Sequence, residues 1–546
     1  MGLASDGFAQ QVPQQLPPAA EPGRPIEPPR LEPVPERYSI TVPEAPSVTA
    51  PAGSEGYAFR LSGVVVEGAT AFTTDELAEA YAPLIGTEVT VARMFQAAAE
   101  IERRYREAGY ITSRAIVPQQ TIEDGTFRIQ VVEGSISEVV YANDPGPARP
   151  MIEAIVARLQ GQVPISLFEI ERRLLLADDI PGMEVKGALE ASATVRGGSR
   201  LVITTNRKAY DATASLDNRG SRYSGAASFT AGGALNAFGP NGDKLYAFAK
   251  SAVPISRENA LVAGYQANIG GDGATWGLSS TYSTANPGYI LEPLDVRSRV
   301  LSLSATASYP LIRSRQQNLR LDGQFEYRNV VSDILSQRFN DDRLRVATLA
   351  ATFDRADSLN GITALRIAYG RGLDVLGASP DDSPLHSRID ARSSFNKLSG
   401  QITRIQGLPG DLTLFATAAW QLANRPLLAS EEIGIGGTNF GRGYDNSEIS
   451  GDRGIASSIE LRYAPDLGLG ETARVQFYGF YDIGKVWNLD PGADPRDSLA
   501  SAGLGIRAEL WDNISLFVEA AKPLTRPVET RKNDEVRAFF GLTAKY

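Results

Sequence analysis

The sequence has 546 residues, enough for several domains. It contains no cysteine, which excludes disulfides and cysteine-ligated metal sites. A single histidine, His386, argues against histidine metal clusters and Ser-His-Asp triads. The net charge of −10 argues against nucleic acid as a partner. No cofactor and no metal site are therefore expected.

Residues 1–56 form a proline-rich segment that includes "VPQQLPPAAEPGRPIEPPRLEPVPERYSITVPEAP". Such a density of proline excludes a long helix. The composition predicts an extended or disordered N-terminal linker over this range. A PxxP ligand for an adaptor domain is the functional alternative. Residues 1–11 show neither the basic segment nor the apolar core of a signal peptide.

Residues 57–134 carry the pattern of a small α+β module. A strand is predicted at Phe59–Phe72, followed by a capped helix that begins at Thr73 and ends at Gly86. A second helix has Met94, Ala98, Ile101 and Tyr105 at helical spacing and ends at Gly109. Two strands follow, "ITSRAIVP" and "TFRIQVVEG". The predicted order is β-α-α-β-β.

The same order repeats in residues 135–208. "SISEVVYAN" is a predicted strand, "RPMIEAIVARLQG" and "SLFEIERRLLLADDIPG" are predicted helices, and two strands end near Lys208. Two small α+β modules in tandem are more typical of a binding or docking array than of an enzyme.

Residues 209–546 lose the helical period. Short runs of alternating polarity are separated by turn clusters such as "GPNGD" and "GGDGA". At about 10 residues per tilted strand, this range holds about 16 antiparallel strands. Closing such a sheet into a barrel removes every edge and allows it to lie in lipid. The predicted fold is mainly β, a C-terminal transmembrane β-barrel preceded by two α+β modules.

Alternation within single strands tests this interpretation. In "ARVQFYGFYDIGKV" the predicted lipid face is Ala473, Val475, Phe477, Gly479, Tyr481 and Ile483. The predicted lumen face is Arg474, Gln476, Tyr478, Phe480, Asp482 and Gly484. A soluble sandwich also alternates, but about 16 strands without an aliphatic-rich centre favour the barrel.

Two acidic pairs, Glu431-Glu432 and Asp381-Asp382, lie in loop-like surroundings without an apolar pocket to raise a pKa. They predict solvated loops rather than acid/base pairs. No catalytic constellation is found, and we expect no enzyme activity.

Four motifs in order resemble the two-partner secretion transporters (TpsB type), relatives of the filamentous hemagglutinin transporter and the hemolysin secretion/activation proteins. "EAGYITSRAIVPQQTIEDGTFRIQVVEG" is similar to their first-module signature, and the two modules resemble POTRA domains. "ASLDNRGS" resembles the start of their barrel, "GRGYDNSEISGDRG" their Arg-Gly-Tyr loop and "FYDIG" their Phe-x-Asp-x-Gly strand. Some members also carry an N-terminal helix that plugs the pore. In this sequence residues 1–11 could form only a short helix of this kind.

The resemblance implies that the Arg-Gly-Tyr loop folds back into the barrel. Its arginine, Arg442, then meets Asp482 of the strand motif, which the alternation already places in the lumen. The residues expected to fix the loop to the barrel are Gly441, Arg442, Gly443, Tyr444, Phe480, Asp482 and Gly484. The alternative is that Arg442 is an exposed loop charge and Asp482 an ordinary lumen residue.

The last strand carries an expected barrel-assembly signal, formed by Phe540, Leu542 and the terminal aromatic Tyr546. We expect the partners to be a secreted exoprotein that docks on the modules, outer-membrane lipid, and the barrel-assembly machinery. Sheet edges of the modules could accept an extended client segment as an added strand.

The predicted function is an outer-membrane pore that moves an unfolded exoprotein from the periplasm to the cell surface, with the modules in the periplasm. The alternative is a factor that inserts other barrels into the outer membrane, although such factors usually carry more modules. A passive porin is disfavoured by the modules, and a soluble enzyme is disfavoured further.

Overall fold

A computed structural model describes residues 15–22, 40–41, 48–192, 195, 197–470, 472–490 and 496–546. Over these residues the chain forms two α+β modules and a closed antiparallel barrel. The predicted fold class is confirmed.

Parts of the predicted linker are ordered. Pro18–Ala20 form a 3-10 turn, and Ile40–Thr41 form a short strand, β1. Leu16 and Ala20 are buried in an apolar cluster with side chains from barrel loops. These two residues are therefore ordered, although the proline content of the segment predicts an extended or disordered linker. The predictions for residues 1–14, including the short helix, and for 23–39 and 42–47 lie outside the described residues.

Module 1 places its helices against a small sheet. Its elements are β2 (Ala58–Arg60), β3 (Gly63–Glu67), α1 (Thr74–Ala78), β4 (Glu88–Thr90), α2 (Val91–Glu107), β5 (Arg114–Ile116) and β6 (Thr126–Val132). β6 lies at the centre of a three-stranded sheet, parallel to β3 and antiparallel to β5. β2 pairs with β4.

The two helices of module 1 follow from local sequence rules. Thr73 caps α1 in a reciprocal pair with Glu76. The helix is shorter than predicted, and a separate 3-10 turn at Ala82–Leu84 contains Pro83. Proline lacks a backbone N–H and its ring crowds the preceding turn, so it interrupts the α-helix. The predicted core positions of α2 are all buried: Met94, Ala98, Ile101 and Tyr105.

Module 2 repeats the β-α-α-β-β order. Its elements are β7 (Ser135–Tyr141), α3 (Arg149–Val156), α4 (Leu167–Asp178), β8 (Met183–Ala191) and β9 (Gly198–Arg207). The sheet order is β1-β8-β9-β7, so the linker strand β1 covers the edge of β8 in a parallel pairing. Buried side chains of both helices pack on β8 and β9.

Within the described part of the chain, sixteen strands close into one barrel. The first eleven are β10 (Tyr210–Asp217), β11 (Ala227–Asn236), β12 (Lys244–Val253), β13 (Glu258–Ile269), β14 (Ala274–Ala285), β15 (Arg297–Arg313), β16 (Gln317–Ile334), β17 (Gln337–Asp357), β18 (Gly361–Gly372), β19 (Asn396–Leu408) and β20 (Leu412–Ala423). The other five are β23 (Arg453–Tyr463), β24 (Ala473–Trp487), β25 (Arg496–Leu510), β26 (Ile514–Pro523) and β27 (Arg537–Lys545). Between β20 and β23 the chain forms a separate hairpin of β21 (Ile433–Ile435) and β22 (Ile449–Gly451). β27 pairs with β10 and closes the ring.

The barrel has two distinct ends. The turns β13–β14 and β15–β16 contact α4 of module 2, which defines a module end. Successive antiparallel strands place the longer loops, including residues 286–296, 373–395 and 424–452, at the opposite end, here called the far end.

The predicted faces of β24 agree with its burial. Phe477, Tyr481 and Ile483 are exposed on the outside, whereas Tyr478 and Asp482 are buried inside. The outside is rich in exposed aliphatic and aromatic side chains, as a lipid-facing surface requires. Among the described residues, no helix is both long and apolar enough to cross a bilayer.

Candidate functional site: the loop bound inside the barrel

The longest loop at the far end, residues 424–452, folds back into the barrel; it is called the strap below. Its hairpin, β21 and β22, contacts β24 and β25 of the wall. An apolar cluster that includes Ile435, Phe440 and Tyr444 joins the strap to wall residues such as Val486 and Leu499. The strap is therefore part of the folded interior and not a solvated loop.

Two glycines let the strap approach the wall closely. Gly441 has φ of +81°, a conformation that residues with a Cβ rarely adopt. A Cβ on Gly443 would lie 2.9 Å from the backbone nitrogen of Pro523 on β26. Gly484 serves the same purpose from the wall side, since a Cβ there would lie 2.7 Å from Ile435.

Arg442 binds Asp482 through a two-pronged contact. Its Nε donates to Asp482 Oδ2 at 3.0 Å, and its Nη2 donates to Oδ1 at 2.9 Å. The backbone N–H groups of Gly441 and Arg442 donate to the same carboxylate at 3.1 and 2.9 Å. The two side chains are 2% and 0% exposed. A carboxylate that accepts four N–H groups fixes both the position and the orientation of the strap.

The other motif residues of the predicted set surround this contact. The Arg442 guanidinium lies 3.4 Å from the centre of the Phe480 ring, a cation–π arrangement. The Tyr444 hydroxyl lies 3.2 Å from the carbonyl oxygen of Ala500 and accepts from the N–H of Arg526 at 3.3 Å. The structure thus brings Gly441, Arg442, Gly443, Tyr444, Phe480, Asp482 and Gly484 together in the lumen.

Sequence reasoning missed a second carboxylate on Arg442. Glu460 of β23 accepts from Arg442 Nη1 at 2.5 Å and from Arg507 Nη1 at 2.7 Å. It also accepts from Arg462 at 2.8 Å. Alternation places Glu460 and Arg462 on the lumen face, but their pairing depends on where the strap enters. Because each buried charge has an opposite partner, the network suits anchoring better than proton transfer.

The strap is held further along by Asp445. Its Oδ1 accepts from Arg537 Nη2 of β27 at 2.8 Å, and Thr530 donates to its other oxygen. Both ionic side chains are at most 3% exposed. This contact extends the bound part of the strap from β23–β24 to the last strand.

The prediction that Glu431 and Glu432 are solvated is wrong, because they are 3% and 7% exposed. Glu431 accepts from Arg328 Nη1 of β16 at 2.8 Å and pairs with Lys397 Nζ of β19 at 2.6 Å. Glu432 lies 3.1 Å from Arg388 Nη1 of the 373–395 loop. Acidic residues are seldom fully buried unless they are paired, and these partners lie far away in the sequence.

The expected assembly-signal residues point away from the lumen. Phe540, Leu542 and Tyr546 are 51%, 48% and 62% exposed. Phe540 and Leu542 lie on the outer face of β27, and Tyr546 follows its last residue at the seam with β10.

Helix α4 of module 2 is docked at the module end of the lumen. Arg173 donates to the carbonyl oxygen of Gly271 at 2.8 Å and to Asp272 Oδ1 at 2.9 Å. Arg313 donates twice to the Asp179 carboxylate, each time at 2.7 Å. The hydrogen bond from Arg173 holds the pKa of Asp272 below its usual range, so the pair stays ionised at neutral pH.

A polar cavity of about 630 Å³ lies between α4 and the barrel wall and is called the vestibule below. Leu176 and Asp179 line it from the module side. Inward-facing polar side chains line it from the barrel, among them Gln266, Asn268, Ser308, Asp322, Gln324, Thr348 and Arg366.

Comparisons with known proteins agree with this architecture. Residues 197–508 match the family described as haemolysin secretion/activation protein ShlB/FhaC/HecB, and residues 59–134 match the ShlB-type POTRA domain. The match to the family covers more than half of the chain.

Individual proteins extend the likeness to most of the chain. The heme/hemopexin transporter protein HuxB of Haemophilus influenzae is 25% identical over 463 residues, 83% of this chain and 81% of that protein. The outer membrane transporter CdiB of Dickeya dadantii is 24% identical, over 78% of this chain and 76% of that protein.

A solved structure supports the fold. CdiB from Escherichia coli superposes with a TM-score of 0.76 at 20% identity, over 92% of this chain and 94% of that chain. The resemblance drawn from the four motifs is confirmed. The chain belongs to the ShlB/FhaC/HecB family of haemolysin secretion/activation proteins, outer-membrane β-barrels with POTRA modules on the periplasmic side.

Proposed function

We propose that this chain moves an unfolded exoprotein from the periplasm through its barrel to the cell surface. The observation that carries this proposal is the vestibule, which lies inside the lumen directly beside the docked module 2. A client held on the modules would enter a space lined by polar groups, while the strap lies further along the same lumen.

The modules would receive the client by strand addition. In module 2 the edge strand β8 already accepts the two-residue strand β1 in parallel register, Ile40 beside Gly187 and Thr41 beside Ala188. This pairing supports the idea that a module edge binds an extended segment through backbone hydrogen bonds alone. Such binding demands little of the client sequence.

The Arg442–Asp482 contact would keep the strap in its working position. Removing one member leaves a buried charge without its partner, which is costly. The buried charges around it are paired, which supports a positioning role, and we infer no chemical reaction for the chain.

During biogenesis the outward-facing Phe540, Leu542 and Tyr546 would be recognised by the barrel-assembly machinery, and the apolar outer face would contact lipid.

A deletion strain of the bacterium that encodes the chain tests the proposal. The proteins of the culture medium and of the outer membrane are quantified with and without the chain. We expect one or a few large proteins to disappear from the medium and to return when the chain is restored. A general loss of other outer-membrane barrels, with no specific loss from the medium, would instead identify a barrel-insertion factor.

A further inference from the structure

The outer face of the barrel carries a cluster of arginines at the far ends of β15, β17 and β18. Even-numbered side chains of these strands, such as Ser308, Thr348 and Arg366, line the vestibule, so the odd-numbered ones point outwards. A register shift between β16 and β17 turns Arg338 outwards as well, where it binds Asp333. The cluster is called the arginine patch below and consists of Arg297, Arg299, Arg338, Arg343, Arg345 and Arg371.

The arginine patch begins where the apolar outer face ends. On β15 the exposed Leu301 is followed towards the far end by Arg299, and on β18 the exposed Tyr369 is followed by Arg371. The apolar outer face contacts the hydrocarbon of the membrane, so the arginines lie at the level of the lipid head groups. Because the modules are on the periplasmic side, these head groups belong to the outer leaflet.

The arginine patch keeps an excess of positive charge. Asp333 lies 3.2 Å from Arg299 and 2.8 Å from Arg338, and Asp341 accepts from Arg343 at 2.9 Å. Two more aspartates lie immediately beyond the strand ends, Asp295 and Asp374. Six arginines thus meet four carboxylates, which leaves two positive charges uncompensated.

Arg371 is open to a ligand. Its side chain is exposed, and its neighbours across the sheet, Ala347 and Asn396, are uncharged. Within the described part of the chain no carboxylate pairs with Arg371. A free guanidinium can bind a phosphate group through two parallel hydrogen bonds.

Arg345 adds a positive charge that is fixed in place. Its side chain is only 1% exposed, and its guanidinium lies 3.4 Å from the centre of the Tyr327 ring. It donates to Asn329 Oδ1 at 3.0 Å and to the carbonyl oxygen of Leu376 at 3.1 Å. These partners are uncharged, so an anion bound at the surface of the patch would compensate this charge.

Apolar side chains beside the arginine patch favour a lipid over a free anion. The bond from Arg345 to Leu376 holds the 373–395 loop against the outer face of β17. Val375 and Leu376 of this loop are 45% and 67% exposed. A ligand with phosphate groups and several acyl chains would match the arginines and the apolar side chains at once. Lipopolysaccharide, the glycolipid of the outer leaflet in Gram-negative bacteria, has this chemistry.

We propose that the arginine patch is a binding site for the phosphate groups of lipopolysaccharide, whose acyl chains lie on the apolar outer face around Leu301 and Tyr369. The arginines take the place of the divalent cations that otherwise bridge neighbouring phosphate groups in this leaflet. The proposal goes beyond the proposed function and depends only on the position of the barrel in the outer membrane.

Titration of the purified full-length chain tests the arginine patch. The chain is washed free of bound lipid in a neutral detergent with EDTA. It is then titrated with a fluorescently labelled lipopolysaccharide that lacks O-antigen. One variant carries Arg371→Gln alone, and a second carries Arg299→Gln, Arg343→Gln and Arg371→Gln. Arg355→Gln is the matched control, because Arg355 is also an exposed, outward-facing arginine of β17 but lies at the module end.

We expect Arg371→Gln to weaken binding about fivefold and the triple variant to weaken it about 100-fold. The fivefold change corresponds to about 1 kcal/mol for each arginine near an anionic surface. Arg355→Gln should bind like the native chain. Equal affinity of the native chain and the triple variant, or an equal loss in Arg355→Gln, would overturn the proposal. Migration as folded barrel on an unheated gel is verified first, and Arg371→Gln alone decides the test if the triple variant does not fold.

Three further ligands separate lipopolysaccharide from other sources of negative charge. They are the same glycolipid after removal of its phosphate groups by a phosphatase, phosphatidylglycerol, and inorganic phosphate. Each should bind at least about tenfold more weakly, because the paired phosphate groups on one acylated sugar unit are then missing. Equal binding of the dephosphorylated glycolipid would mean that only apolar contacts matter. Equal binding of phosphatidylglycerol or of inorganic phosphate would mean that any anion suffices, and each of these results would overturn the proposal.

Discussion

Tyr546, the last residue of the sequence, stacks on Tyr210, the first residue of the barrel, with ring centres 5.5 Å apart and an interplanar angle of 14°. Backbone hydrogen bonds join the same strands, from Tyr546 N to Ala212 O at 2.8 Å and from Ala212 N to Tyr546 O at 3.1 Å. The terminal aromatic thus lies at the seam that closes the ring. The proposed role in recognition by assembly machinery and the observed position at the seam fall on the same side chain.

We predict that deleting Tyr546 lowers the amount of assembled barrel. The deletion removes an outward aromatic and two backbone hydrogen bonds at the seam. Deleting one residue from the proline-rich segment 23–39 is the control and should have a smaller effect. Tyr546→Phe keeps the ring and the backbone and should assemble like the native chain. The fraction of the chain that migrates as folded barrel on an unheated gel is measured for all four proteins. Equal assembly after both deletions would refute the prediction.

We also predict that the full-length protein fractionates with outer membranes and migrates faster on a gel when it is not heated. A closed hydrogen-bonded ring has no free edge from which to unravel in detergent. The pairing of β27 with β10 closes this ring. Recovery in the soluble fraction after a carbonate wash, or identical migration with and without heating, would contradict the barrel.

The sequence predicts the faces of the strands because side-chain direction alternates with period 2 and needs no tertiary information. Asp482 could therefore be placed in the lumen from β24 alone. The pairing of Asp482 with Arg442 could not be worked out in this way and came from the family resemblance. The structure supplies its physical basis, two glycines that admit the strap to the wall.

The burial of Glu431 could not be predicted from its surroundings in the sequence. Its partner Arg328 lies on a strand four places earlier in the ring than the strand that leads into the strap. Only the path of the strap across the lumen brings them together. Local rules failed for a different reason at α1, where the capping signal at Thr73 was correct but Pro83 interrupts the helix.

Glu133 of module 1 provides a pH-dependent prediction. Its carboxylate accepts from the backbone N–H groups of Thr70 and Ala71 at 2.6 and 2.9 Å and from the Tyr105 hydroxyl at 2.7 Å. Burial raises the pKa of Glu133, but these donors and the Thr70 hydroxyl outweigh it and hold the pKa below its usual value. A depressed pKa stabilises the folded state above the unfolded pKa, and this contribution is lost as the pH falls through the folded value.

We therefore expect the amides of Thr70 and Ala71 to be well protected from hydrogen exchange at pH 7 and to lose protection as the pH falls through the lowered pKa of Glu133. Glu133→Gln should reduce protection at pH 7 and flatten its pH dependence, because an amide offers one acceptor oxygen. Glu138→Gln, at an exposed site on β7, is the matched control and should behave like the native chain. Equal protection in the native chain and Glu133→Gln at pH 7 would show that the carboxylate does not hold this turn.

The final prediction concerns Arg442 and Asp482. Removing one partner of a buried pair costs about 3–5 kcal/mol, whereas an exposed pair is worth about 0–1 kcal/mol. Arg442→Ala strands Asp482, whereas Arg507 and Arg462 still neutralise Glu460. Asp482→Ala leaves Arg442 its contact with Glu460. We expect both variants to reduce secretion sharply while membrane insertion is retained, with Arg442→Ala the more severe.

The double variant should secrete no less than Arg442→Ala, because the two residues act as one unit. Arg392→Ala is the matched control, since Arg392 is a loop arginine with a 53% exposed side chain that lies 3.9 Å from an aspartate. The readout is the protein lost from the medium of the deletion strain, normalised to the chain present in the membrane, for each variant and the native chain. If the loss of secretion in the double variant equals the sum of the losses in the two single variants, Arg442 and Asp482 act separately. Normal secretion by either single variant would show that this contact does not hold the strap in its working position.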